Sequence, residues 1–416
     1  MKICKTKIED IKVFFTDGST ATIPCKNIYF FSIEKNFFDY FLPLLNIKCM
    51  VTDEIYKKIN KDNPKYKIVI NKFYIKNNNE TFDKTSTNIL YKKFINDIFV
   101  NINTTDISPD LAENIANRKE QGMDDDRTEL EKATNELDLF LFTPESLNYK
   151  TFNNKVFTNV NMLSLIIGLA QLTNQKHILL SYPDNVDTYD GNILIPNNLT
   201  FLGCIKYLQS VYGLYNDSYI LFSDFDKIYL ITKNPKCTAK IKSEITRVYI
   251  SYNDMTNYNS NQYGFNTDLK NNRYEINCIS NPLIYTANDK ISELLYDDMI
   301  VSNTNTGDTK ELALTEDKVN VNRSSKILEN RYDNDYIVNS ALYDLSINNY
   351  TVSTTFNEID IDLLTPNKEF YIDINMQNTN YRKINGLVKL SKYLATFTKS
   401  DDELFICSVQ AEFKRA

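Results

Sequence analysis

Two pairs of aspartates have the residue type and spacing for acid–base chemistry. Asp224 and Asp226 lie two positions apart, as do Asp360 and Asp362, so each pair would share one face of an extended strand. Glycoside hydrolysis needs two carboxyl groups roughly 5 to 9.5 Å apart, one of them protonated. Aspartates in turns and on edge strands are also ordinary solvated groups, and we favour that interpretation over catalysis.

The other reactive side chains lack the neighbours that catalysis or metal binding requires. His177 is the only histidine and lies near Ser181, but without a Gly-x-Ser-x-Gly motif we expect it to be structural or on the surface. The triple aspartate Asp124–Asp126 lacks the distal glutamate of a calcium loop, and we expect a solvated helix start. Neither GxGxxG nor GxxxxGK[ST] occurs. The sequence therefore predicts no catalytic residue, no metal site and no cofactor.

The composition is that of a globular protein whose acidity is confined to one segment. Hydrophobic residues make up 42% of the 416 residues, an ordinary globular share, and this length allows two to four domains. Twelve acidic and four basic side chains fall between Asp106 and Glu145, against 42 and 43 in the remainder. Since there is no dense basic stripe, a primary nucleic-acid role is not expected.

The sequence also indicates the cellular compartment in which the protein is made. The seven cysteines are scattered without a CxxC pair, so we expect buried free thiols in a reducing compartment. The opening stretch MKICKTKIED has no apolar core of signal-peptide length. The longest apolar run, Met162 to Leu172, is too short to span a bilayer. We therefore expect a protein made in the cytoplasm, without an export signal and without membrane insertion.

Residues 1–103 are predicted to form an N-terminal β-barrel domain. Alternating apolar residues from Ile11 to Phe15 and a return strand over Thr20–Ile23 predict a hairpin. Thr52 is predicted to cap a short helix, and a further strand is expected over Lys65–Ile75. Strands interrupted by one short helix indicate a small barrel or sandwich.

Residues 104–143 are predicted to be an acidic helical excursion. Ser108–Asp110 has the pattern of a helix start with proline at the first helical position. Leu130, Ala133 and Leu137 follow helical spacing and predict a second helix. We expect this segment on the outside of an assembly or in contact with a neighbouring subunit.

Residues 144–235 are predicted to form a central helix-and-hairpin domain. Thr200 can cap a helix that ends at Gly213, and two β-rich runs, Tyr219–Phe222 and Ile228–Ile231, predict a hairpin. Upstream, an apolar face between residues 156 and 172 is expected to be buried. Its members are Val160, Leu163, Ile166, Ile167 and Ala170.

Residues 236–416 are predicted to form a C-terminal β-barrel domain with a polar insertion at about 253–335. Val248, Ile250 and Tyr252 alternate as in a strand, and the insertion contains a predicted strand over Tyr274–Ile279 and a predicted helix over Asn288–Met299. The last strand alternates from Phe405 to Phe413 and is predicted to pair with Leu387–Thr398. The fold class expected for the whole chain is α+β, predominantly β.

Two stretches resemble the baseplate hub proteins of tailed bacteriophages, which form the ring at the end of the tail tube and hold the central spike. The first is the capped helix and aromatic hairpin of Asn192–Lys233. The second is the turn Leu364–Lys368, followed by a strand, a turn at Gly386 and a last hairpin that closes on Lys414 and Arg415. The resemblance implies two small tail-tube-like β-barrel domains flanking a mixed helix-and-hairpin central unit.

The resemblance also implies a function and its partners. It implies a non-enzymatic structural protein of the tail baseplate, a hub joining the tail tube to the spike. The expected partners are further copies of the chain in a homotrimer, the tail tube protein, the central spike protein and other baseplate proteins, with DNA only as passing cargo. The candidate assembly contacts are Thr365, Pro366, Asn367 and Lys368. The expected location is the virion, after synthesis in the host bacterial cytoplasm.

Two alternatives belong to other classes of function. A receptor-binding or host-interaction virion protein would account for the abundant tyrosine and asparagine, because both suit polar interfaces. A glycan-cleaving tail enzyme would use the aspartate pairs.

Overall fold

The computed structural model describes residues 3–38, 42–75, 90–101, 134–143, 155–171, 177–185, 192–215, 219–225, 227–232, 247–253, 264–268, 273–278, 283–286, 298–303, 309–313, 326–330, 350–375, 386–400 and 404–415. Strands dominate these residues, and the predicted α+β, predominantly β class is confirmed. The helix start predicted at Ser108–Asp110 and the triple aspartate Asp124–Asp126 lie outside the described residues.

The described residues between Ile3 and Asn101 form the predicted series of strands with one short α-helix. They contain β1 (Ile3–Ile8), β2 (Ile11–Phe14), β3 (Thr20–Ile23), a 3₁₀ turn (Cys25–Asn27), β4 (Ile28–Asn36), β5 (Leu44–Thr52), α1 (Asp53–Lys61), β6 (Lys65–Ile75) and β7 (Leu90–Asn101). β2 and β3 form the predicted hairpin, with Gly18 at φ 83° in its turn. Helix α1 begins where predicted, because the Thr52 hydroxyl accepts a hydrogen bond from the Ile55 amide.

Strand β8 (Thr134–Phe142) takes the place of the helix predicted around Leu137, and that prediction is wrong. Leu137, Leu139 and Leu141 are buried at alternate positions, a period of two that competes with the helical spacing. β8 pairs antiparallel with β5 from Thr134 to Leu141, and this pairing decides between the two patterns. The predicted excursion over 104–143 therefore ends in a strand of the main sheet.

The described residues of the central part form two helices, a two-stranded sheet and a three-stranded sheet. Its elements are β9 (Lys155–Thr158), α2 (Met162–Gln171), β10 (His177–Leu180), β11 (Asn192–Ile195), α3 (Phe201–Val211), β12 (Tyr219–Ser223) and β13 (Lys227–Thr232). Helix α3 has the predicted ends, since the Thr200 hydroxyl accepts from the Gly203 amide and Gly213 has φ 70°. β12 and β13 form the predicted antiparallel hairpin.

Helix α2 differs in part from its prediction. It begins at Met162, where the Asn161 side chain accepts a hydrogen bond from the Leu163 amide. Ile166 and Ala170 are buried as expected, but Ile167 is 43% exposed. The buried face is instead completed by Met162, Leu165 and Leu169. Seven of the ten positions of this helix are apolar, so its apolar side is wider than the buried face, and the sequence pattern could not locate the centre of that face.

The described residues of the C-terminal part lie almost entirely in strands. Its elements are β14 (Arg247–Asn253), β15 (Gly264–Asp268), β16 (Arg273–Cys278), β17 (Leu283–Thr286), β18 (Asp298–Asn303), β19 (Thr309–Ala313), β20 (Lys326–Asn330), β21 (Tyr350–Asn357), a 3₁₀ turn (Ile361–Leu363), β22 (Glu369–Asn375), β23 (Gly386–Lys399) and β24 (Phe405–Arg415). The predicted strands at Val248 and Tyr274 and the final hairpin are confirmed. The helix predicted over Asn288–Met299 is wrong at its end, where β18 begins at Asp298, and residues 287–297 lie outside the described part.

Eight antiparallel strands close into a barrel. In the order β23, β4, β5, β8, β7, β6, β1 and β24, each strand pairs with the next, and β24 pairs with β23 to close the ring. The final hairpin, which the sequence assigned to a second barrel, thus completes the first. From this hairpin the sheet continues through β22, β14, β16 and β15 on one side and through β21 and β17 on the other. The division into four domains stays a prediction, although its first and last segments share one sheet.

The β12–β13 hairpin is buried on both faces and joins two hydrophobic cores. Ile220, Phe222, Tyr229 and Ile231 pack in the barrel core, whereas Leu221, Ile228 and Leu230 pack with α2 and α3. Successive side chains of a strand point to opposite sides, so a hairpin between two cores needs apolar residues at every position. The tip of this hairpin positions the candidate functional site.

Candidate functional site

A polar cavity of about 640 Å³ lies where the barrel, the tip of the β12–β13 hairpin and the segment before β22 meet. Asp224 from the hairpin tip lines it, together with Asp360 and Asp362 from the segment before β22. The structure thus brings members of both predicted aspartate pairs to one cavity, although Asp226 lies outside the described residues. The chemistry of these carboxylates depends on the cations beside them.

Lys72 on β6 is held between two of the aspartates. Its Nζ donates to Asp360 Oδ1 at 2.7 Å and lies 3.1 Å from Asp362 Oδ1, and its side chain is 2% exposed. The Tyr74 hydroxyl donates to Asp360 Oδ2 at 2.6 Å, and the Phe94 ring centroid lies 3.7 Å from the ammonium. Burial alone would lower the pKa of Lys72, but Asp360 and Asp362 outweigh it and hold the pKa above its ordinary value.

A second buried ion pair joins the barrel to the hairpin tip. Lys35 Nζ on β4 lies 2.7 Å from Asp224 Oδ2, and both side chains are 6% exposed. The same ammonium lies 5.2 Å from the Phe225 ring centroid and 6.0 Å from that of Tyr393. The central hairpin is therefore fixed to the barrel by a charge pair as well as by apolar packing.

The predicted turn at residues 365–368 is present at the cavity wall. The Lys368 amide donates to the Thr365 carbonyl at 3.3 Å, Pro366 is buried and Asn367 is exposed. The Lys368 ammonium turns inward and donates to the carbonyl of Asp362. Burial lowers the pKa of Lys368 to about 8, although Asp362 and Asp360 act in the opposite direction. The role of this turn in assembly contacts stays a prediction.

Sequence reasoning missed the lysines of this site, although a signal for them was present. Lys35 continues the inward alternation of Phe31 and Ile33 on β4, and Lys72 continues that of Ile68 and Ile70 on β6. A lysine at an inward strand position must find a counter-ion, because burying an isolated charge is costly. Which aspartate serves each lysine could not be inferred, since the partners are distant in sequence.

The remaining candidate residues show structural contacts. His177 begins β10, and the Ser181 hydroxyl accepts a hydrogen bond from the Thr232 amide at 3.2 Å. Cys49 and Cys204 are buried thiols, and burial raises the pKa of each to about 12. Among the residues that the structure describes, no group of three His, Cys, Asp or Glu side chains could hold a metal ion. No helix in the described part of the chain is long and apolar enough to cross a membrane.

The fold is shared with solved tail proteins. The tail protein from Neisseria meningitidis MC58 matches with a TM-score of 0.52 and 10% identity, over 99% of this chain and 96% of that chain. The 43 kDa tail protein of prophage MuSo2 from Shewanella oneidensis matches with a TM-score of 0.50 and 9% identity, over 96% of each chain. No curated protein matches the sequence.

A family model identifies the chain more directly. The model described as Bacteriophage PBS1 gene 109 protein matches residues 5–412, so the chain belongs to that family. Together with the shared fold, this confirms the resemblance to tail proteins of bacteriophages that the sequence predicted.

Proposed function

We propose that this protein is a structural component of a phage tail baseplate, where three copies form a hub that joins the tail tube to the central spike. The bacteriophage family and the fold shared with two tail proteins support a place in the tail. The observation that carries the proposal furthest is the closed eight-stranded barrel, from whose last hairpin the same sheet continues on both sides. Three copies, each with the barrel and this extension as two modules, would match a tube of sixfold symmetry.

The barrel also constrains how the hub would contact its partners. Closing the sheet removes free strand edges from the ring, so a tube cannot be extended from it by strand addition. Contacts with the tube and between copies would instead use barrel ends, outer faces and turns, or the two strands at which the sheet extension ends, β15 and β17. The tail tube protein, the spike protein and other baseplate proteins are the partners that this arrangement would serve, and DNA would only pass through.

We also propose that the cavity does not catalyse glycan cleavage. The general acid of a glycosidase must donate a proton to the leaving group, whereas Asp224, Asp360 and Asp362 each already contact a lysine ammonium. Asp224 is paired with Lys35, and Asp360 and Asp362 share Lys72. Incubating the protein with purified host cell-wall glycan should release no reducing ends. Release that is lost in an Asp360→Asn variant would overturn this view.

Virion imaging with a labelled chain tests the place in the tail. The hub proposal expects the label in a ring at the junction of tube and spike, and native mass spectrometry should find a species of three times the chain mass. A label on peripheral fibres, together with a stable monomer at micromolar concentration, would contradict the hub.

A receptor-binding or host-interaction virion protein is the second candidate, and exposed apolar residues in the central part of the chain favour it. Val156 and Leu194 are partners across β9 and β11 and are 56% and 47% exposed. Such a pair suits a contact surface. The same labelling experiment discriminates, because a receptor-binding protein would lie at the outer, host-facing tips.

A further inference from the structure

The Lys72 site combines the groups that form an amide between two side chains. Lys72 supplies an amine, Asp360 supplies an acceptor carboxyl, and Asp362 supplies a second carboxyl within reach of the same Nζ. The pair is 288 positions apart in sequence, so a bond between them would join β6 of the barrel to the segment before β22. The Lys368 ammonium also reaches this cluster, where it donates to the Asp362 carbonyl.

The geometry assigns a distinct part to each carboxyl oxygen. Lys72 Nζ is 2.7 Å from Asp360 Oδ1, and because a C–O bond is about 1.2 Å, Nζ lies no more than about 4 Å from Cγ. Oδ1 also accepts from the Asp362 amide at 3.1 Å, which can stabilise charge on that oxygen during attack. The other oxygen, Oδ2, accepts from the Tyr74 hydroxyl at 2.6 Å.

We propose that Lys72 and Asp360 condense in the folded protein to an amide that links Nζ to Cγ, with Asp362 as the proton carrier. Two protons leave the Lys72 ammonium and pass through Asp362 to Oδ2 of Asp360. The Nζ–Cγ bond forms, the Cγ–Oδ2 bond breaks, and Oδ2 departs with both protons as water. One proton remains on the amide nitrogen, and Asp362 returns to its initial charge. No oxidant, cofactor or co-reactant is consumed.

The ion pair of Lys72 with Asp360 and Asp362 is the resting state, and the Phe94 ring further stabilises the ammonium. Condensation proceeds through the minor state in which a proton has passed from Lys72 to one of these carboxylates, a transfer that changes no net charge. The reactants are held next to each other by the fold, which replaces an encounter between separate molecules. The reaction runs once per chain, so slow chemistry is sufficient, and the released water can leave through the adjoining cavity.

The chain contains an internal control at the other buried lysine. Lys35 lies at the same 2.7 Å from Asp224, but among the described residues its ion pair is with Asp224 alone. That site lacks the proton carrier and should remain an ion pair. A bond at Lys72 without one at Lys35 would therefore show that the reaction requires the second carboxylate, Asp362, and not only a buried lysine close to an aspartate.

The decisive experiment is the intact mass of the folded, then denatured, full chain. We expect a mass lower than that of the sequence by one water molecule, and a protease digest should yield a branched peptide joining Lys72 to Asp360. An intact mass equal to that of the sequence after prolonged incubation of the folded protein, with both peptides recovered unlinked, would overturn the proposal. This measurement uses the unaltered protein, so it does not depend on the folding of any variant.

Three variants test the assigned roles, and a fourth, Lys35→Arg, is the control. Lys72→Arg and Asp362→Ala should each retain the full sequence mass, because the first lacks a nucleophilic amine and the second lacks the proton carrier. Asp360→Asn should lose ammonia in place of water, since the leaving group is then the amide nitrogen. Lys35→Arg should still lose one water. Circular dichroism establishes that each variant is folded, and water loss in folded Lys72→Arg would refute the assignment to this lysine.

Discussion

Removing Lys35 should loosen the central hairpin from the barrel. The Lys35→Met variant leaves the buried Asp224 carboxylate without its cation, which was 2.7 Å away. At an effective dielectric constant of about 20, the attraction over that distance is roughly 6 kcal/mol, much of which is offset by the desolvation of both charges. Breaking a buried pair typically costs about 3 to 5 kcal/mol. Asp224 lines the cavity, where water can solvate it, so we expect a loss of about 3 kcal/mol, at the low end of this range.

A double-mutant cycle measures this effect. Urea unfolding is followed by circular dichroism for Lys35→Met, Asp224→Asn and the double variant, with hydrogen exchange reporting on the β12–β13 amides. The double variant should be less destabilised than the sum of the single variants by at least about 1 kcal/mol, because it contains no orphaned charge. In the single variants, hydrogen exchange of the β12–β13 amides should accelerate more than that of the β23 and β24 amides. Additive single effects, or single losses below about 0.5 kcal/mol, would refute the reasoning.

Three further perturbations test separate parts of the structure. Thr200→Ala removes the cap of α3 and should cost about 1 kcal/mol in urea unfolding, whereas Thr200→Ser should cost much less; equal losses would contradict the capping role. Burial lowers the pKa of Lys389 from 10.5 to about 8, so the folded state binds fewer protons than the unfolded state between these values, and stability should rise with pH there. In the Lys389→Met variant, this rise should be smaller by about 3 kcal/mol. Identical pH profiles of stability for the variant and the parent would contradict the prediction. On α2, Ile166→Glu should prevent stable folding while Ile167→Glu changes stability by less than about 0.5 kcal/mol, and similar effects from both would contradict the observed face.

The local elements were predictable wherever one periodic pattern was unopposed. Thr200 and Gly213 mark the ends of α3 because capping and left-handed backbone depend on neighbouring residues alone. The alternation from Phe405 to Phe413 specified β24 for the same reason. Around Leu137, helical and strand patterns coexist in the sequence, and pairing with β5 decided the outcome. The resemblance to tail proteins was likewise accessible, because it depends on turns and strand order along the chain.

The candidate site could be predicted only in part. The two aspartate pairs are visible in the sequence, but their convergence on one cavity joins residues 224 and 360–362, which no local pattern connects. Lys35 and Lys72 are recognisable as inward-facing lysines, yet their counter-ions are 189 and 288 positions away. The sequence by itself determined strands, caps, hairpins and the need for buried counter-charges, because these follow from backbone geometry and solvation over a few residues. Only the tertiary structure decided which strands close the barrel and which aspartate meets each lysine, because closure brings together segments from opposite ends of the chain.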